Sequence, residues 1–299
     1  MSPPVIDAAF ALPGAIAVPR TLPIPRYLEQ AYWWAYVHPN AVQLFEREWL
    51  VNLILFGNYG RLRDAALASL ARPAPRAPVV PRYLEQVYWW AYVHPKAVQL
   101  FEREWLVNLI LFGNYGRLRD AALADLGAEV TGKTLQVACV YGNLTPRLQQ
   151  RLAPDASLDV VDILPIQLKN LAGKLLADPR VALVQSDSSS LAAADASYDQ
   201  ALLFFLLHEQ PEQVRRATLS EAMRVVRPGG KIVIVDYHRP VRLHPLRLLM
   251  TGVFRKLEPY AMDLWEREVE DFLPADMRPA SIEKRTYYGG LYQKLVLVR

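Results

Sequence analysis

The chain has 299 residues, 52% of them hydrophobic, and a formal net charge of +4 with lysine and arginine spread along its length. That length holds one large domain or two small ones, the modest charge makes no case for a nucleic-acid partner, and no apolar run approaches the ~18 residues that cross a bilayer. A single cysteine, Cys139, excludes a disulfide framework and a multi-cysteine metal site, which points to the reducing cytoplasm.

Residues 1–23 carry a mild apolar run with no basic region ahead of it and read as a disordered leader, not a secretory signal. The next stretch, residues 24–70, returns at an offset of 56 as residues 80–126, with four of 47 positions changed: Ile24/Val80, Ala31/Val87, Asn40/Lys96 and Ser69/Asp125. A Pro-rich linker, residues 71–79, separates the copies. Val98, Phe101, Trp105, Leu109 and Phe112 recur at three- and four-residue spacing and predict one amphipathic helix. "GNYG" breaks it, and a shorter helix over Arg117 to Leu126 stops before Gly127. Each copy is thus a helical hairpin. Residues 80–126 are expected to dock as a lid on the following domain because their connection is short. The copy at 24–70 is then redundant, or its exposed apolar face pairs in a homodimer or lies on a membrane.

From 127 to 299 short apolar runs alternate with helical stretches, the pattern of βαβ units around a parallel sheet. Expected strands are 134–140, 157–163, 181–187, 198–208 and 231–237, followed by an antiparallel pair in "SIEKRTYYGG" and "LYQKLVLVR". The fold class is α/β, a mostly parallel Rossmann-like sheet with a terminal antiparallel hairpin, in which ligands sit outside the carboxyl ends of the strands.

Asp162 ends the second strand, Ser186 and Asp187 end the third, and Arg227-Pro228-Gly229-Gly230 leads into the fifth. Together these resemble the class I S-adenosylmethionine-dependent methyltransferases, in particular their quinone-modifying branch. The resemblance implies that S-adenosylmethionine is the cofactor, that Asp162 accepts hydrogen bonds from its ribose with Ile163 beside it, and that Asp187, next to Ser188, faces the adenine amino group. The bland reading of such a carboxylate is a cap on the following helix. The first loop departs from the family: Gln136 stands for an acid, Ala138 and Val140 for glycines, and Tyr141 precedes the retained Gly142. A backbone approaches a ligand closely only where side chains are absent, so the cofactor is expected to sit differently, or against the Tyr141 ring.

With "YWWAYVHP", "FEREWLVNLILFGNYGRLRDAAL", "YHRPVRLHPLR" and "LEPYAMDLWE", residues 80 to 299 resemble the RquA family of rhodoquinone biosynthesis enzymes. That resemblance implies replacement of a methoxy group of ubiquinone by an amino group from S-adenosylmethionine, assistance by Mn²⁺, and a cytoplasmic enzyme held peripherally at the inner membrane. Neutral Gln136 in place of a carboxylate suggests a cofactor nitrogen kept as free amine. Gln136, Tyr141, Tyr115 and His208 are the catalytic candidates, and Asp236, His238 and His208 the candidate metal ligands. Against the latter stand a helix-entry role for His208 and a structural one for Asp236. Within residues 238–275, Arg239, Arg242, Arg247, Arg255 and Lys256 interleave with leucines, suiting either an anionic membrane surface or a lid helix with a solvated basic side. Conventional methyl transfer to a quinone, and non-catalytic binding of quinone or cofactor, are the alternative functions.

Overall fold

Val-, Leu- and Ile-rich runs punctuated by Pro, Gly and Asp build one seven-stranded sheet in the computed structural model, which describes residues 79–88, 91–92 and 94–299. The leader, the first copy of the duplicated hairpin and any dimer formed through it lie outside the described residues. Helices are numbered from the first one described. The strands are β1 (Lys133–Val137), β2 (Ser157–Asp162), β3 (Val181–Gln185), β4 (Tyr198–Phe204), β5 (Val226–Tyr237), β6 (Ser281–Tyr287) and β7 (Tyr292–Val298), in spatial order β3-β2-β1-β4-β5-β7-β6. All pairings are parallel except those of β7, which runs antiparallel to β5 and β6.

The expected α/β architecture is therefore present, with each of the first four strands ending earlier than expected, the first and fourth most. β1 stops at Val137 because Ala138 takes φ +73°, and β4 stops at Phe204 because Phe205 takes φ +53°. Both departures turn the chain at the carboxyl edge, where the sheet changes winding direction and a crevice opens. β5 starts earlier than expected, because Arg227–Gly230 form a bulge inside the strand: register passes from Tyr198↔Val226 to Gln200↔Lys231.

Helices cover both faces. On one side α4 (Tyr115–Leu126) and α5 (Leu144–Gln149) bury Leu118, Leu123, Leu144 and Leu148 against Leu158, Val160 and Leu202. Across the sheet α7 (Glu212–Val225) packs Leu219, Ala222 and Met223 on Leu135, Ala201 and Ile232. Strands buried on both faces explain the near-continuous apolar runs. α6 (Pro165–Ala172) follows β2.

The lid segment departs from the expected single helix. It forms α1 (Arg82–Gln86), α2 (Pro95–Phe101) and α3 (Glu104–Ile110), then α4. Arg103 is extended at ψ 113°, which breaks the helix and resets its phase. Trp105 and Leu109, expected on the buried stripe with Val98, are instead 60% and 63% exposed, while Val98 is buried. Beyond β5, α8 (Arg247–Leu257) and α9 (Asp263–Glu266) lie between the sheet's fifth strand and the final hairpin. Among the described residues no helix is long and apolar enough to cross a membrane.

Candidate active site

Two cavities adjoin at the carboxyl ends of β1, β2 and β4. The first is a cleft of about 660 Å³ lined by Ala138, Cys139, Asp162, Ile163, Ser186, Asp187, Ser188, Leu206, Glu209 and Gln210. Asp162 is almost fully buried, and its oxygens accept the backbone N–H groups of Cys139 and Leu164, each at 2.8 Å. It thus ties the first loop to the start of α6 while lining the cleft. Burial raises its pKa to about 6, against the lowering effect of those backbone donors. Asp187 accepts from the N–H and hydroxyl of Ser189 at 2.8 and 2.7 Å through one oxygen.

Gln210 is 1% exposed; its Nε2 donates to Ser188 Oγ and Thr218 Oγ1, while its Oε1 has no partner. No lysine or arginine occurs among the described residues lining the cleft. An acceptor-rich cleft with no lysine or arginine among its described lining residues suits hydroxyl and amino donors and a positive sulfonium. The residues present fit S-adenosylmethionine.

The first loop is braced from within and from the lid. Gln136, fully buried, donates through Nε2 to the Ala138 carbonyl and accepts the Thr145 hydroxyl at Oε1, each at 3.0 Å. Both ends of its amide are thereby used, and it lines neither cavity. The expectation that Gln136 acts on the cofactor nitrogen gives way to a brace that holds Ala138 in its left-handed conformation. Tyr141 is sandwiched between Tyr92, at 5.7 Å and 12°, and Phe101, at 6.0 Å and 25°. Its hydroxyl donates to the Ala91 carbonyl at 2.7 Å and accepts Gln167 Nε2 at 2.8 Å. The ring therefore bolts lid to loop, and it lines the second cavity.

Tyr115 has a similar duty. Its hydroxyl donates to the Tyr141 carbonyl at 3.2 Å and accepts Leu144 N–H at 3.0 Å. A Cβ on Gly142, at φ +79°, would stand 2.7 Å from that hydroxyl, so the retained glycine admits Tyr115 and not a ligand. Glu102 of the lid accepts Gly142 N–H at 3.2 Å and pairs with Lys174 at 2.6 Å, and Lys174 caps the Val140 and Gly142 carbonyls. Sequence reasoning missed this latch, because its partners lie at least 32 positions apart.

The second cavity, about 840 Å³, is walled mainly by apolar and aromatic side chains, with His208, Glu209, Glu258 and Gln167 among its polar groups; of the expected catalytic residues, Tyr115, Tyr141 and His208 line it and Gln136 does not. Tyr92 and Glu209 line both cavities and are hydrogen-bonded to each other, so the two spaces meet there. His208 Nδ1 lies 2.9 Å from Asp236 Oδ1, and its Nε2 lies 3.8 Å from Glu209 Oε1. Burial disfavours the charged imidazole, but Asp236, Glu209 and Glu258 outweigh it and hold the pKa up at about 9. Burial pushes Glu209 up to about 8, partly offset by His208. Burial also raises Glu258, whose Oε2 has no partner. Glu258 was overlooked in the sequence; an acid isolated at Leu257–Pro259 after an apolar helix was the available signal.

The expected metal set does not assemble. Asp236 is fully buried and spends its oxygens on the N–H groups of Leu207 and Tyr237, at 2.8 and 2.7 Å, and on His208. His238 turns away, Nδ1 to the Gly290 carbonyl at 2.8 Å and Nε2 to Glu268 at 3.5 Å. Among the described residues no three His, Cys, Asp or Glu side chains form a metal-holding group. The residues do not fit Mn²⁺ at Asp236, His238 and His208.

Residues 134–230 match the methyltransferase domain family. Demethylmenaquinone methyltransferase of Staphylococcus aureus is 26% identical over 167 residues, covering 56% of this chain and 68% of the relative. Phosphoethanolamine N-methyltransferase 2 of Haemonchus contortus, solved with S-adenosyl-L-methionine, superposes with a TM-score of 0.54 at 13% identity, over 74% of this chain and 60% of that one. The chain carries a class I S-adenosylmethionine-dependent methyltransferase fold, as its strand-end acids and RPGG motif led one to expect.

Proposed function

We propose that this chain is an S-adenosylmethionine-dependent transferase of lipophilic quinones, and that it exchanges a ring methoxy group of ubiquinone, which leaves as methanol, for an amino group whose nitrogen is released from the cofactor by hydrolytic cleavage of its Cα–N bond. The observation that carries the substrate class is the aromatic cavity of about 840 Å³ that opens onto the acid-rich cleft at Tyr92 and Glu209. A flat apolar ring suits Phe205 and Tyr237, while His208, and Glu209 and Glu258 in their protonated forms, are among the groups able to donate hydrogen bonds to quinone oxygens. S-adenosylmethionine, when bound, supplies the electrophilic sulfonium and the amino nitrogen. Asp162 and Asp187 then hold its ribose and adenine, Tyr141 and Glu102 keep the loop closed, and Glu209 holds a proton beside the quinone. The exchange of methoxy for amino is supported by the sequence resemblance over residues 80 to 299.

Conventional methyl transfer is the second reading, favoured by the similarity to the Staphylococcus demethylmenaquinone enzyme. One experiment separates them. The full chain is incubated with ubiquinone and S-adenosylmethionine carrying heavy nitrogen on its amino group, and the quinones are weighed by mass spectrometry. Heavy nitrogen in the quinone supports amination. A gain of one methyl on a demethylated quinone, with no nitrogen incorporated, supports methyl transfer. Tight cofactor binding with neither product overturns both.

A further inference from the structure

The segment from His238 to Leu257 holds five cations, Arg239, Arg242, Arg247, Arg255 and Lys256, and no aspartate or glutamate. None of the five forms an ion pair with a described residue. Between these cations the apolar side chains point outward: Leu243 is 93% and Leu248 87% exposed, and Val241, Leu249 and Leu257 are exposed beside them. This is not a helix turned inside out, since α8 buries its other face, Met250 and Phe254, with Phe254 edge-on to Tyr237 at 4.8 Å. Both faces of α8 are apolar, and among the described residues only the Met250–Phe254 face is packed.

A second outward apolar group continues this one. Trp105, Leu109 and Ile110 project from α3. At the end of α3, Phe112 stacks on Tyr288 at 6.3 Å, and Tyr288 in turn meets the His244 ring edge-on at 5.1 Å. The apolar surface therefore runs from α3 across Tyr288 to the cationic segment. Ile110 belongs to both this surface and the wall of the aromatic cavity, and Tyr237 carries α8 on one side while lining that cavity on the other.

We propose that this face docks on an anionic lipid bilayer, with the arginines among the headgroups and Leu243, Leu248, Trp105 and Leu109 in the acyl boundary, so that the aromatic cavity opens toward lipid. Apolar side chains ringed by unpaired cations on a helix lying flat have the composition of an interfacial anchor. A second copy of the chain is disfavoured as the occupant, because a symmetric contact would press five uncompensated cations against five more. The surface is independent of which group the enzyme transfers, so its test and the quinone assay fail separately.

The full-length protein is floated with vesicles of pure phosphatidylcholine and with vesicles of equal parts phosphatidylcholine and phosphatidylglycerol. Binding to the anionic vesicles is expected, weakening at least about tenfold between about 0.1 and 0.5 M salt. The double variant L243E/L248E should lose binding by at least about tenfold, and R242E/R255E should lose the preference for anionic lipid. Because these side chains are exposed, thermal melting of both variants should match the parent. Equal binding to both vesicle types, or retained binding by both variants, overturns the proposal. So does a parent that ignores vesicles but forms a dimer dissolved by L243E/L248E, which would assign the face to a second copy.

Discussion

Replacing Gln136 by glutamate tests whether this position braces the loop or tunes the cofactor. In the folded chain the amide nitrogen donates to the Ala138 carbonyl, and the amide oxygen accepts from Thr145. A carboxylate there sets two acceptors against each other in a fully buried site. The folded acid is relieved by protonation, since a carboxyl O–H can again donate to Ala138, so its pKa rises above the unfolded value. Taking a rise of about 2 units from about 4.3, at 1.36 kcal/mol per unit, ionisation costs about 3 kcal/mol at pH 8 and about 1 kcal/mol at pH 5. The sign follows from linkage: the group's contribution is intact below the unfolded pKa and lost as pH rises through the raised folded one. Urea denaturation of Gln136→Glu and parent at both pH values should show the stability gap widening by about 2 kcal/mol from pH 5 to 8. A pH-independent gap, or a variant as stable as the parent whose activity alone falls at neutral pH, would refute the brace and restore a role at the cofactor nitrogen.

Glu209, with its pKa near 8, carries a proton at neutral pH and loses it as pH rises through that value. Turnover of quinone should fall across that range in the parent, stay flat in Glu209→Gln, which keeps a donor, and be low throughout in Glu209→Ala; kcat/KM against pH is the measurement, and an unchanged limb in Glu209→Gln counts against the assignment. Tyr141→Phe removes the hydroxyl bonds to Ala91 and Gln167 but keeps the stack, so it should cost about 1–2 kcal/mol, whereas Tyr141→Ala should cost about 3–4 kcal/mol; denaturant melts distinguish them. Asp162→Asn sets an amide N–H against the N–H of Cys139 or Leu164. A loss of about 2 kcal/mol in stability and at least about tenfold in S-adenosylmethionine affinity by calorimetry is expected, and unchanged affinity would remove Asp162 from the cofactor site.

The parallel sheet, its terminal hairpin and the strand-end acids were legible in the sequence, because strand burial and strand-end chemistry repeat over short windows. Asp162, Ile163, Asp187 and Ser188 do line the cleft, as their places after β2 and β3 required. The loop residues were harder. Gln136 and Tyr141 stand out as departures from a glycine pattern that keeps Gly142, but the partners of this loop, Thr145, Tyr92, Phe101 and Tyr115, come from α5, the segment before α2, α2 and α4.

A linear chain of 3.6- and 2-residue periods determines which segments become helices and strands, and so determined the fold. Which face of a segment turns inward depends on where the chain breaks and on what arrives from far away. One extended residue, Arg103, rotated Trp105 and Leu109 into solvent. Likewise, Asp236 and His238, two apart in sequence, face different partners because β5 ends between them. Only the tertiary structure could turn three candidate metal ligands into a structural acid, its paired imidazole and a half-buried histidine turned to Gly290 and Glu268, since ligation needs convergence in space and sequence spacing measures only distance along the chain.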